Sequence, residues 1–204
     1  MTTKYTVFVM TRYNILLLGC FFALGLPAAA QYKYERAHRI KKQQFPEKGL
    51  EVIQEKLEGA SRIRFYKETD SSKASYEAKF KKARLFYNAA FDGEGGLRHI
   101  EIFIQEVDIP KEALSRMKGY LEGSFNKYRI RRIRQQYPVD PEAALETTIR
   151  NAFQNLLLPS LRYELFVAGR RGKEKKDYEL VFDADGHFIS IRTPLPVNYD
   201  HILY

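Results

Sequence analysis

The residues with the plainest chemical potential are Asp183-Ala184-Asp185-Gly186, whose alternating carboxylates look like the start of a calcium loop. Such a loop needs further oxygens and a bidentate acid at its twelfth position. That position here is Pro194, so the stretch reads instead as a tight hairpin turn. Asp accepts local hydrogen bonds there, and Gly supplies a positive φ. Asp92 to Gly96 repeats the turn. The four histidines, His38, His99, His187 and His201, form no HExxH or comparable pair. A zinc site would therefore have to assemble from distant segments. No GxSxG elbow, phosphate loop or dinucleotide fingerprint is present. In a chain with 29% charged residues, neighbouring acids are expected without catalysis. A non-enzymatic protein is expected, with no catalytic, cofactor-binding or metal-ligating residue assigned.

Two basic stretches remain. Lys127 to Arg134 interleaves Arg with apolar residues, as a strand with one wet face would. Gly169 to Lys176 reads as a hairpin loop longer than its counterpart at Lys81 and Lys82, and a loop that outgrows its twin is a candidate for function. Arg170, Arg171, Lys173, Lys175 and Lys176 are accordingly candidate partner-binding residues, joined by Arg98 and Arg192 on an open sheet face. The competing reading of this charge run is a solvated, mobile loop.

The N-terminus bears on which partners are relevant. Ile15 to Leu26 is apolar, preceded by Lys4 and Arg12 and followed by Pro27-Ala28-Ala29-Ala30. This is the pattern of a secretory signal peptide over 1–30, cleaved after Ala30, with Met10 as an alternative initiator to Met1. The run is too short to span a bilayer comfortably. Leu17-Leu18-Gly19-Cys20 admits a lipid anchor, but Phe21 to Leu24 keeps the chain apolar where an anchored protein turns polar. Cys20 is the only cysteine, so the expected mature chain has no disulfide or thiolate site. An exported, periplasmic or secreted protein follows. The formal charge of +9 becomes +7 once Lys4 and Arg12 are removed, which favours acidic partners. Export directs that preference away from nucleic acid and toward acidic proteins, anionic glycans or lipid headgroups.

The chain also resembles itself. At an offset of 91, Tyr87, Phe91, Asp92, Glu94, Gly95, Leu97 and Ile100 meet Tyr178, Phe182, Asp183, Asp185, Gly186, Phe188 and Ile191. At an offset of 64, Pro46, Leu50, Ile53 and Leu57-Glu58-Gly59 meet Pro110, Leu114, Met117 and Leu121-Glu122-Gly123. Self-similarity in fixed order is the mark of a repeat. The expected fold class is α+β, with two tandem helix-plus-four-strand antiparallel repeats at 45–108 and 109–194. A polar basic lead at 31–44 precedes them, and a C-terminal tail at 195–204 follows. The difference between the offsets is met by an extra helix inserted in the second repeat at 141–157, with Asp140 as N-cap and Pro141 in its first turn. Each helix covers one sheet face, leaving the other for docking.

The Pro-x-x-x-Leu helix, the Tyr-Glu hairpin and the Phe-Asp-x-[Asp/Glu]-Gly turn, all doubled, resemble the PepSY-like proteins, also described as β-lactamase-inhibitor-like. The resemblance spans about Pro46 to Thr193. It implies tandem α-β4 units and a role in binding or restraining an extracytoplasmic enzyme such as a peptidase. The inserted helix and the lack of disulfides depart from that pattern, so no inhibitory residue is carried over. The expected function is an exported binding module, an inhibitor or regulator acting through an open sheet face. The alternative is a binder of an anionic small ligand, glycan or lipid headgroup at the cell envelope.

Overall fold

The computed structural model describes residues 35–70 and 73–193. The expected signal peptide, Cys20, Met10 and the 195–204 tail lie outside them. Nine strands form one antiparallel sheet in sequential order: β1 (Glu35–Ile40), β2 (Ser61–Asp70), β3 (Lys73–Lys82), β4 (Leu85–Phe91), β5 (Leu97–Ile104), β6 (Lys127–Pro138), β7 (Arg162–Arg171), β8 (Glu174–Asp183) and β9 (Phe188–Arg192). Three helices accompany it: α1 (Glu47–Leu57), α2 (Lys111–Ser124) and α3 (Leu145–Phe153). The class is α+β. Among the described residues, no helix is long and apolar enough to cross a membrane.

The expected helical stripes are the buried ones. Ile53 of α1, Met117 and Leu121 of α2 and Ile149 and Ala152 of α3 enter one core with alternate residues of every strand from β2 to β8. Phe80, Tyr87, Ile100, Ile102, Leu165, Leu180 and Phe182 belong to that face. Period-two alternation sends their neighbours to the opposite face, which no described helix covers.

Both longer helices begin in the same way. A short 3-10 turn, 42–44 or 106–108, is closed by a side chain accepting from a backbone N–H three residues before it. Lys41 N donates to Gln44 Oε1 at 2.9 Å, and Gln105 N to Asp108 Oδ2 at 2.8 Å. Pro46 and Pro110 then cap the helices with nearly equal dihedrals (φ −57, ψ 129; φ −52, ψ 137). The two acidic turns also match. Asp92 Oδ1 accepts from Glu94 N and Gly96 N at 2.9 and 2.8 Å, and Asp183 Oδ1 from Asp185 N and His187 N at 3.0 and 2.8 Å. Gly95 and Gly186 share φ values of +84 and +85. Neither turn holds a calcium loop, and no cluster of metal-ligating side chains occurs among the described residues.

Three expectations are corrected. The 31–44 segment contains strand β1, paired with β2 through Ile40↔Phe65. Its sequence, ERAHRI, carries little apolar alternation because it is an edge strand held by backbone bonds to a neighbour thirty residues on. The inserted helix is shorter than 141–157. Asp140 Oδ1 accepts from Glu142 N at 2.9 Å in an Asx turn, and the helix starts only at Leu145. Finally, 169–176 is not an enlarged loop. Arg171 pairs with Glu174, so the turn is Gly172-Lys173 alone, the same size as Ala83-Arg84 between Lys82 and Leu85. The basic residues stand on a paired ladder.

Candidate functional site

The helix-free face carries a set of polar and charged side chains, most of them buried, with Arg192 exposed at its edge. They are placed by strand parity: Glu77 and Lys79 on β3, Asn88 on β4, His99 and Glu101 on β5, Arg134 and Gln136 on β6, Glu164 on β7, Glu179 on β8 and Arg192 on β9. Glu101, Glu164 and Glu179 are only 3%, 7% and 4% exposed, a depth at which an unpaired carboxylate is strongly disfavoured. Their partners are therefore the central question.

On the first half of the face, Asn88 Nδ2 donates to Glu77 Oε1 and to Glu101 Oε2, each at 3.0 Å. Lys79 Nζ stands 2.7 Å from Glu77 Oε2. Glu101 also accepts from Arg134 Nη1 at 2.8 Å and from Gln136 Nε2 at 3.3 Å, with His99 Nε2 3.4 Å away. Burial would raise the Glu101 carboxyl, but Arg134, His99 and Asn88 together hold it well below the usual range. Glu77 is likewise raised by burial and brought back below its ordinary value by Lys79.

The second half repeats the ladder positions but keeps only the glutamate of the first pair. Glu77↔Ala90 corresponds to Glu164↔Val181, and Asn88↔Glu101 to Glu179↔Arg192. Where Asn88 offers two N–H groups, Glu179 offers none. Glu179 is satisfied on one side by Arg192, whose Nε and Nη2 reach Oε2 and Oε1 at 2.9 and 2.6 Å. On the other side it meets Glu164, and two carboxylates in contact cannot both ionise. Burial first, then the hydrogen bond to Glu179 and the charges of Glu101 and Glu179, push Glu164 up to about 9 against the pull of Arg134. The pair therefore shares one proton at neutral pH, with Glu164 the raised partner and Glu179 kept ionised with the help of Arg192 and Arg134.

Arg134 joins the halves. Its Nε is 2.9 Å from Glu164 Oε2. Its Nη2 is 3.6 Å from Glu179 Oε1, and its guanidinium lies 4.4 Å over the Phe166 ring. Three carboxylates (Glu77, Glu101, Glu179) then face three cations (Lys79, Arg134 and the exposed Arg192), and this set is neutral. No cluster of side chains that could hold a metal accompanies it among the described residues.

The candidate basic residues fall in three places. Arg192 is inside the network. Arg98 is exposed at a bulge of β5, its carbonyl accepting from Val139 N at 3.0 Å. Arg170, Arg171, Lys173, Lys175 and Lys176 line the β7–β8 hairpin, at the other end of β6, where Lys127 pairs with Arg170. Eleven residue steps along β6 separate these ends, about 35 Å. Arg171 is committed locally, donating to Ser124 O at 3.2 Å and lying over Phe125 and Tyr178, and Lys176 pairs with Glu174 at 2.6 Å. Of the two face residues expected from sequence, Arg192 joins the network and Arg98 stands apart from it. Arg134, Glu179, Glu77 and Asn88 were missed. Their signal was parity: each lies an even number of residues from a charged neighbour on its own strand or opposite one on the next.

Fold and site together define an α+β protein with helices on one face of a continuous sheet and a largely buried ion network on the other. No protein-family model matches the sequence, and no curated protein matches it. Among solved structures it is similar to a DUF2874 family protein of Bacteroides ovatus, with 11% identity and a TM-score of 0.49 over 73% of this chain and 87% of that one. A BLIP-like protein of Bacteroides fragilis gives 14% and 0.47 over 78% and 92%. A DUF2874 family protein of Bacteroides uniformis gives 13% and 0.48 over 72% and 88%. At these identities nothing about activity transfers.

Proposed function

We propose that the protein is an exported, non-enzymatic binding module that docks a protein partner on the helix-free sheet face. One observation carries this reading: the face is pre-ordered by a neutral, largely buried ion network, while exposed cations fringe it. Arg39, Arg129 and Arg162 are exposed at face positions, and the Arg170–Lys176 hairpin and Arg98 extend the basic border at its two ends. A rigid platform spares a partner the cost of ordering side chains, and the fringe steers acidic surfaces toward it. The apolar N-terminal stretch at 15–26 supports export, hence an extracytoplasmic partner such as a peptidase that the module inhibits or regulates. The paired helix starts, acidic turns and ladder positions support two copies of one unit, 45–108 and 109–194.

The test is capture by purified chain lacking residues 1–30, followed by affinity measurement at two salt concentrations. Affinity for the captured protein should fall with salt, and reversing Arg129, Arg162 and Arg170 to Glu should weaken it about tenfold or more. Binding indifferent to both salt and charge reversal would exclude the face.

A further inference from the structure

A second concave feature lies on the helix side of the sheet, apart from the ion network and independent of the docking face. A cavity of about 380 Å³ opens between the start of α2, the 157–159 segment after α3, and the 184–185 turn. Small-molecule sites occupy roughly 300–1,000 Å³, so the volume suits a compact ligand. The wall is supplied by the inserted segment between β6 and β7, for which the first half has no counterpart between β2 and β3. That segment is pinned from below: Gln135 Nε2 donates to Asn155 Oδ1 at 2.9 Å and Tyr137 Oη to the Leu156 carbonyl at 3.0 Å. The cavity is therefore a built feature, not a gap beside a loose loop.

Its lining has three chemical zones. Pro110, Leu157, Leu158 and Pro159 form an apolar wall, with Leu157 57% exposed. Tyr163 lines the cavity although it is only 1% exposed, and its hydroxyl makes no hydrogen bond with any described residue. A buried tyrosine hydroxyl ordinarily has a partner, and for Tyr163 that partner would come from the cavity side. The acidic residues Glu112 and Asp185 stand at the rim. The one cation there, Arg116, is turned to the Asp185 carbonyl, to which Nη1 donates at 2.5 Å. In a chain of net charge +9, this rim carries an excess of negative charge.

We infer that the cavity binds a small primary amine with a compact apolar body and a hydrogen-bonding group at the far end. The ammonium sits between Glu112 and Asp185, the body packs on Leu157, Leu158 and the prolines, and the far group meets the Tyr163 hydroxyl. The rim charge disfavours carboxylate ligands, and the lone hydroxyl favours a ligand that is not apolar throughout.

Three matched probes test this by ligand-observed NMR or calorimetry: tyramine, phenethylamine and 3-(4-hydroxyphenyl)propanoate. Tyramine should bind at millimolar concentration or better, phenethylamine several-fold more weakly, and the propanoate at least tenfold more weakly. Tyr163→Phe should remove the preference for tyramine over phenethylamine. Glu112→Gln, at an exposed position of α2, should weaken both amines by a similar factor while leaving the melting temperature unchanged. No tyramine binding, equal binding of the propanoate, or an unchanged tyramine preference in Tyr163→Phe would overturn the inference.

Discussion

Asn88 and Glu179 occupy matching ladder positions, and the replacement of an amide by a carboxylate decides where a buried proton sits. Asn88 donates to Glu77 and Glu101, so both can stay ionised. Glu179 brings no N–H, so its pair with Glu164 keeps one proton, with Glu164 raised to about 9 against an ordinary 4.5. The sign of the linkage follows. A group whose folded value is raised stabilises the fold fully below its unfolded value and loses that contribution as pH rises through the folded one. Between pH 6 and 9 the protein should therefore lose stability on the order of 4 kcal/mol through this group, and Glu164→Gln should flatten that dependence. Urea titrations at pH 6 and pH 9 measure both slopes; an equal pH dependence in the variant would refute the assignment. Arg134 has the opposite consequence. Arg134→Met strands Glu101 without its main cation and should cost roughly 3 kcal/mol near neutral pH. Its acid-side signature should also change, because the lowered Glu101 carboxyl normally contributes stability that is lost only as pH falls through its depressed range.

At the scale of elements, the two acidic turns share their hydrogen bonds but differ in how closely they approach their helix. An added Cβ on Gly186 would stand 2.3 Å from the Ala113 carbonyl oxygen, whereas on Gly95 it would meet Pro46 Cβ at 2.8 Å and Gly49 N at 3.0 Å. Both positions need φ near +85, so either substitution is strained. Gly186→Ala should nonetheless cost more, roughly 3 kcal/mol against roughly 1–2 kcal/mol for Gly95→Ala, because its Cβ would overlap the Ala113 backbone far more closely. Paired thermal melts would show the order, and a reversed order would show that the β9 side yields. The turns, both main helices and eight strands were legible in sequence, since alternation, proline starts and Asp-x-x-Gly turns are local signals. Strand β1 was not, because an edge strand is recognised by its neighbour's free backbone groups. Nor was the true length of the hairpin at 169–176, because charge resembles a loop whether or not the backbone is paired.

For the whole molecule, α3 is the piece that ties the halves together. It lies in the second half by sequence, yet Phe153 stacks on Tyr87 at 4.6 Å and on Phe80 at 6.2 Å in the first, with Lys56 of α1 over its other side at 5.6 Å. The core is thus continuous across the midpoint. Removing the second half would uncover Tyr87 and Phe80, so a 45–108 fragment should remain unfolded by circular dichroism. The full chain should unfold in one transition with coincident near- and far-ultraviolet signals. Phe153→Ala should lower stability by about 2–3 kcal/mol, without separating that transition into two. Two resolved transitions would instead mean that each half folds alone.

The sequence alone determined the class of elements, their order and the two hairpins that end in acidic turns. These depend on periodicity and on the conformational limits of Pro, Gly and Asp, all properties of neighbouring residues. Only the tertiary structure decided that Arg134, drawn from β6, completes the ion pairs of both halves, and that the Glu164 carboxyl is pushed up by its surroundings. Burial and charge proximity are set by side chains brought together from seven strands, and no local pattern encodes the distance between them.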